Sequence, residues 1–111
     1  MEKRQEMFSV KNEKEIKVIR INLLLAVTVD NYLCTFYIEG EDKFICTKKL
    51  SEVEKILPDY FIRIRRNTII NAHKIKSVNT RERKISLYDG AVFKYAVQNA
   101  KIIKRLVQFS S

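Results

Sequence analysis

Short stretches of alternating apolar and polar residues dominate the chain, and only two segments shift to a helical period. Phe8–Val10 and Ile16–Ile19 have the strand pattern, and the polar run Lys11–Glu15 between them suits the turn of a hairpin. Ile21–Val29 is apolar almost throughout, interrupted at Asn22 and bounded by Asp30-Asn31, which predicts a strand buried on both faces. Tyr32–Glu39 alternates less cleanly but carries the β-formers Tyr32, Thr35, Phe36, Tyr37 and Ile38. Glu39-Gly40-Glu41-Asp42 is a turn, and Lys43–Cys46 starts a further strand.

The first change of period comes at Leu50, Val53, Ile56 and Leu57, which predicts a short amphipathic helix over Lys48–Leu57. Ser51 and Glu54 are placed as a capping box and Pro58 as a stop. Strand patterns resume at Phe61–Ile64, Thr68–Asn71 and Ile75–Val78. Lys84–Tyr88 and Ala91–Val97 then flank Asp89-Gly90, a pair suited to the positive φ angles of a tight type I′ hairpin turn. The second helical stretch closes the chain: over Gln98–Val107, Ala100, Ile103 and Leu106-Val107 share one side, with Lys101, Lys104 and Arg105 between. Met1–Met7 reads as a frayed polar start. The expected fold is therefore mainly β, with one short central helix and one short C-terminal helix.

Composition bounds this picture. A chain of 111 residues with 46% hydrophobic content forms one domain with a single modest core, and two glycines and one proline leave no room for a long flexible linker. No internal repeat is present. The expected division is a polar segment with the first strand over 1–15, a domain over 16–107 and a tail over 108–111. Ile21–Val29 is about half the length of a membrane span, and the charged Met1–Glu15 has no signal-peptide pattern, so membrane insertion and export are not expected. A cytoplasmic location follows. Cys34 and Cys46 form no CxxC or Cys/His pattern and sit in apolar-alternating runs, which favours buried, reduced thiols.

Charge changes the picture more. Met1–Phe44 holds seven Lys/Arg against eight Asp/Glu, whereas Ile45–Ser111 holds fifteen against five, so the net charge of +9 resides in the second part. An asymmetric basic field attracts polyanions, and nucleic acid leads over a merely solubilising surface. Catalysis has little support. The one histidine, His73, has no local Cys, Ser or acidic partner and reads as structural. Gly40 and Gly90 each mark a turn, so no phosphate-binding glycine loop exists. The acidic residues lack ligand spacing, and no metal, cofactor or small-molecule substrate is expected. The basic run is more informative. In Phe61-Ile62-Arg63-Ile64-Arg65-Arg66-Asn67-Thr68, period-two alternation puts Arg63 and Arg65 on one face and Ile62 and Ile64 on the other. Arg66-Asn67 fall in the connection beyond. Arginine suits bidentate contact with guanine or phosphate, and asparagine suits adenine or phosphate, although an ordinary charged β face would also carry such residues.

The stretch FIRIRRNTIINAHKIKSV, followed by RERKISLYDGAVFKYAVQNAKIIKRL, resembles the LytTR family of bacterial DNA-binding domains. The helix before Phe61, the pair Asn71 and Ile75, the final loop Val97-Gln98-Asn99 and the upstream turn Val29-Asp30-Asn31-Tyr32 match the family's order of motifs, from about Ile16 to Val107. The resemblance implies an elongated domain of small sheets whose loops, rather than a recognition helix, enter successive major grooves of bent DNA. It implies base readers at Asn31-Tyr32, at Arg65-Arg66-Asn67 and at Gln98-Asn99. Lys94 and Lys101 would hold phosphates, and Lys48 and Lys49 are weaker phosphate candidates. Two departures bear on the target sequence. Arg65-Arg66-Asn67 stands where the family usually has histidine, then arginine or asparagine, then serine, and Gln98 stands where the family usually has an arginine as base reader. The resemblance further implies transcriptional regulation, binding at paired repeats and possible homodimers on DNA. Many members carry a receiver domain before this module; there is no room for one here, and Met1 with its polar start favours a stand-alone domain over a fragment. Two other classes compete: binding of RNA or single strands on a basic β surface, which needs exposed aromatics such as Tyr32, Tyr37, Tyr88, Phe93 or Tyr95, and a protein-interaction module using a free strand edge.

Overall fold

The computed structural model describes residues 6–107, so the frayed start expected at Met1–Met7 falls outside it except for Glu6 and Met7, as does the tail at 108–111. In chain order the strands are β1 (Met7–Lys11), β2 (Ile16–Arg20), β3 (Leu24–Asp30), β4 (Leu33–Ile38), β5 (Phe44–Thr47), β6 (Phe61–Arg65), β7 (Thr68–Asn71), β8 (Ile75–Asn79), β9 (Lys84–Leu87) and β10 (Val92–Lys94). The helices are α1 (Leu50–Ile56) and α2 (Ala100–Val107). They form three antiparallel sheets: the hairpin β1-β2, the five-stranded sheet β5-β4-β3-β7-β6 and the three-stranded sheet β10-β9-β8.

β3 is the middle strand of the large sheet, and its apolar run is long enough to be covered on both faces. Leu24 and Val27 join Phe36, Phe44 and Ile69 beneath the β1-β2 hairpin and α1, which contribute Phe8, Val10, Ile19, Leu50 and Val53. Leu25 and Ala26 face the other way, where Ile64 and Ile70 meet Ile85 and Leu87 of the small sheet, Tyr95 just after β10 and Ile103 of α2. Neighbouring residues of a regular strand alternate faces, so Leu25 and Ala26 share a side only because the register shifts between Leu24 and Ala26. Each fully buried Ile or Leu in these layers contributes about 1.5–3 kcal/mol. The elongation implied by the family resemblance takes the form of flattening, with extents of 41 × 39 × 25 Å.

Several local expectations need correction. The run Ile21–Val29 is not one strand: Ile21–Leu23 make a 3-10 turn that brings the chain from β2 into β3. The central helix is shorter than Lys48–Leu57 and does not use Ser51 and Glu54 as a capping box. Its N-cap is Lys49, whose backbone N–H donates to Glu52 Oε1 at 3.4 Å, while Glu54 is drawn to Arg63 across the layer. Asp89-Gly90 is not a type I′ turn, because only Gly90 has positive φ, at +95°. The Leu87 N–H donates to the Ala91 carbonyl, leaving a loop of Tyr88, Asp89 and Gly90, with Asp89 Oδ1 accepting from the Ala91 N–H. The last strand pattern, Ala91–Val97, shortens to Val92–Lys94, and Val97–Asn99 turn as a 3-10 segment into α2. Finally, the register shift between Arg63 and Arg65 breaks the alternation expected to place them on one face, although Ile62 and Ile64 do share the second core.

Asn71 shows why one polar residue is retained inside. It is 1% exposed; its Nδ2 donates to the Leu24 carbonyl at 2.9 Å, and its Oδ1 accepts the His73 N–H at 2.9 Å. It thereby ties the far end of β7 to the start of β3 and opens the 3-10 turn Ala72–Lys74. Asn71→Ala should lower unfolding free energy by about 2–4 kcal/mol, because it orphans a buried carbonyl and an amide. Urea unfolding checks this; a loss below about 0.5 kcal/mol, the size of an ordinary surface change, would contradict it.

Candidate nucleic-acid interface

Antiparallel pairing sends two connections of the large sheet to one end. Asp30 pairs with Leu33, so Asn31-Tyr32 form the two-residue turn between β3 and β4. Arg65 pairs with Thr68, so Arg66-Asn67 form the turn between β6 and β7. β3 and β7 are neighbours, and the Val29 N–H donates to the Asn67 carbonyl at 3.1 Å, which locks the two turns side by side. Strand spacing sets their centres about 10 Å apart.

A third connection is stapled beside them. The Ala96 N–H donates to the Ile64 carbonyl at 2.9 Å, and Asn99 Nδ2 donates to the Arg63 carbonyl at 3.2 Å. Gln98, between these anchors, is exposed. On the opposite flank the Lys48 N–H donates to the Tyr32 carbonyl at 3.4 Å, bringing Lys48-Lys49 to the first turn. The end of the sheet thus presents, in order, Lys48-Lys49, Asn31-Tyr32, Arg66-Asn67 and Gln98. The row is about 25 Å long at the spacing of strands.

The positions implied by sequence separate into two groups. Asn31, Tyr32, Arg65, Arg66, Asn67 and Gln98 are exposed in this row, and Lys94 and Lys101 are exposed beside its last connection. Neither Arg65 nor Arg66 has an acidic partner among the described residues. Thr68 Oγ1 donates to Asn67 Oδ1 at 3.1 Å, which helps to orient that exposed amide. Arg63 and Asn99 differ. Arg63 Nη2 lies 3.4 Å from Glu54 Oε1 of α1, its side chain is half-buried, and its Nε is buried without a hydrogen-bond partner. Asn99 is half-buried and commits its amide to the Arg63 carbonyl. Sequence reasoning passed over Arg81 and Arg83. Both are exposed in the β8-β9 connection, which the Tyr95 N–H holds close to the row through the Arg83 carbonyl at 3.0 Å. Their signal was a basic turn between two strand patterns.

The opposite end of the sheet has a different character. Glu15, Glu41, Asp42 and Asp89 line a cleft of about 800 Å³ there with Lys17 and Lys43, and Lys17 hydrogen-bonds Glu41. Glu39 pairs with Lys74 at 2.8 Å. That end therefore mixes both signs, with Lys17, Lys43 and Lys74 among its carboxylates, whereas at the row of turns the arginines and lysines outnumber the nearby Asp30, Glu52 and Glu82. The aromatics are separated. Tyr95 is buried, Phe93 packs on Tyr37 with ring centroids 5.3 Å apart, and the most exposed tyrosines, Tyr32 and Tyr88, lie in turns at opposite ends. They make no stacking platform.

Groups suited to other chemistry are engaged in structure. Cys34 and Cys46 are opposite one another on β4 and β5, buried as free thiols. Burial pushes the Cys34 thiol up to about 12, with the neighbouring Cys46 adding to it, and raises Cys46 as well. Both therefore stay protonated near neutrality and act as small apolar residues. His73 stacks on Tyr60 at 3.9 Å between centroids. Among the described residues no group of three or more His, Cys, Asp or Glu is placed to hold a metal, and no helix is long and apolar enough to cross a membrane.

Comparison with known proteins gives two findings. The family model described as the LytTr DNA-binding domain matches residues 14–108. Among solved structures, the chain is similar to the LytTr DNA-binding domain of a Bacillus cereus protein described as a methyl-accepting/DNA response regulator. The TM-score is 0.78 at 20% sequence identity, covering 93% of this chain and 97% of that one. No curated protein matches the chain.

The first turn carries a measurable cost. Asn31 and Tyr32 have φ of +46° and +72°, the type I′ pattern, and a bulky tyrosine is poorly suited to that region. Tyr32 is also 78% exposed, so burial does not offset the strain. Tyr32→Gly should raise unfolding free energy by about 1 kcal/mol, the size of the left-handed penalty it removes. Denaturant titration checks the sign; a less stable variant would show that the ring is needed for folding.

Proposed function

As the chain belongs to the LytTR family of DNA-binding domains, we propose that the row of turns at the basic end of its large sheet reads double-stranded DNA in a sequence-specific manner. The observation that carries this reading is the convergence of three separate connections, each anchored by hydrogen bonds, on one end where Lys48, Lys49, Arg65 and Arg66 have no carboxylate partner among the described residues. A row about 25 Å long laid along a duplex exceeds the width of one major groove, about 12 Å, so its outer turns fall on different sides of a phosphate backbone.

The roles divide by chemistry. Arg66, Asn67 and Gln98, with Asn31 and Tyr32, face base edges. Arg65, Lys94, Lys101, Lys48, Lys49, Arg81 and Arg83 neutralise phosphates and supply most of the affinity through counterion release. Arg63 and Asn99 act as positioning residues: the Arg63 carbonyl receives the Asn99 amide and so holds Gln98 in place. Gln98 pairs with adenine where an arginine would prefer guanine, which gives this chain its own target preference. The domain acts without catalysis in transcriptional regulation in the cytoplasm, with two copies on paired repeats. The reading as a single-strand or RNA binder is weaker, since such proteins stack successive bases on several exposed aromatics and this row carries one, Tyr32.

Selection of bound duplexes from a random pool at near-physiological salt tests the proposal, with an enriched repeated motif as the expected result. On the selected site, Arg66→Ala should lose about 1–3 kcal/mol and relax one base pair, with much less effect on random duplex. Equal losses on both would reject Arg66 as a reader. Lys101→Ala should weaken binding to all sequences and reduce the salt slope by roughly one unit. No enrichment, together with tighter binding of single-stranded RNA at matched salt, would overturn the assignment.

A further inference from the structure

Gln98 has an apolar neighbour that the core does not use. Val97 is 65% exposed at the first position of the 3-10 turn, directly after the two residues that bind this connection to the body of the domain. Tyr95, two residues earlier, is 3% exposed and fills the second core, so the chain turns its apolar side chain inward and then outward within three residues. The backbone around Val97 is fixed: the Ala96 N–H bonds to Ile64, the Asn99 N–H bonds to the Ala96 carbonyl at 2.9 Å, and the Asn99 amide bonds to Arg63. A β-branched side chain has little χ1 freedom, so two methyl groups are held in place before any ligand arrives. A single exposed valine needs no explanation on an ordinary surface. This one is adjacent to a carboxamide in a rigid turn, within a row aimed at base edges.

Chemistry identifies what such a pair fits. In the major groove an A·T pair presents the adenine N6 and N7 groups, which suit a glutamine amide, and beside them the thymine 5-methyl, the only apolar group on any base edge there. We propose that Val97 contacts a thymine 5-methyl group, so that Val97 and Gln98 read an A·T pair, or two adjacent ones, as a unit. This rests on the reading of the row as a DNA reader and names part of its target.

Deoxyuridine lacks only that methyl group, which provides a direct test. The selected duplex is prepared with each thymine replaced in turn, and binding of the intact domain and of Val97→Ala is measured on every duplex. One replacement should weaken wild-type binding about fourfold, the effect of exposing one buried methyl. Val97→Ala should weaken binding to the unmodified duplex by a similar factor and be indifferent to that same replacement. The sensitive thymine should lie at or next to the base pair whose preference changes from adenine to guanine in Gln98→Arg. An unchanged unfolding midpoint for Val97→Ala confirms that the fold is intact, as its exposure implies. The proposal is overturned if no replacement alters wild-type binding, if Val97→Ala remains as sensitive as wild type, or if the selected site has no thymine beside the Gln98 position. A wild-type domain that binds selected and random duplexes equally overturns the DNA-reading assignment itself, and is distinguished from these results by the unmodified controls alone.

Discussion

Burial of β3 on both faces is the constraint from which the rest of the architecture follows. A strand apolar on both sides needs two covering layers, and 111 residues leave few ways to supply them. The β1-β2 hairpin with α1 closes one face, and the small sheet with α2 closes the other. The bulge at the start of β3 lets the adjacent Leu25 and Ala26 serve the same layer while Leu24 and Val27 serve the other. Because β3 has β4 and β7 as its neighbours, their connections must emerge near its C-terminal end. The position of the basic turns is therefore a consequence of which strand is buried most deeply. Asn71 sets the other end of the same arrangement by bonding the β3 backbone where β7 finishes.

Much of this was legible in sequence where a single face or a single period decided the outcome. The hairpin, the central helix and most strands followed from alternation, because Phe8 and Val10, or Leu50 and Val53, have one covered side each. Irregular backbone was less visible. The 3-10 turn at Ile21–Leu23 lies inside an apolar run, and periodicity does not distinguish a buried turn from a buried strand. The tight turn expected at Asp89-Gly90 occurs instead at Asn31-Tyr32, where pairing of Asp30 with Leu33 imposes positive φ on a tyrosine that composition would never assign to it. Tertiary pairing overrode local preference there. The bulge before Arg65 had no sequence signature at all, and it is what separates Arg63 from its neighbours.

The candidate site shows the same division. Arg66, Asn67 and Gln98 were singled out by residue type and resemblance, and all three lie exposed in connections, where long polar side chains project freely. Asn99 looked equivalent to Gln98 in sequence, but only coordinates reveal that its amide is spent on the Arg63 carbonyl. Two residues of the row are costly to stability. Tyr32 sits in strained backbone and Val97 leaves apolar surface in water, while the strands behind them are packed with few polar exceptions.

The central claim is that this one end of the large sheet meets duplex DNA. Amide chemical-shift mapping of the labelled domain, titrated with its selected duplex, tests it most directly. The account places the largest shifts at residues 31–32, 65–67 and 97–101, with the acidic cleft around Glu41 and Asp89 unaffected. Shifts centred on that cleft, or on the outer face of the β1-β2 hairpin, would contradict it.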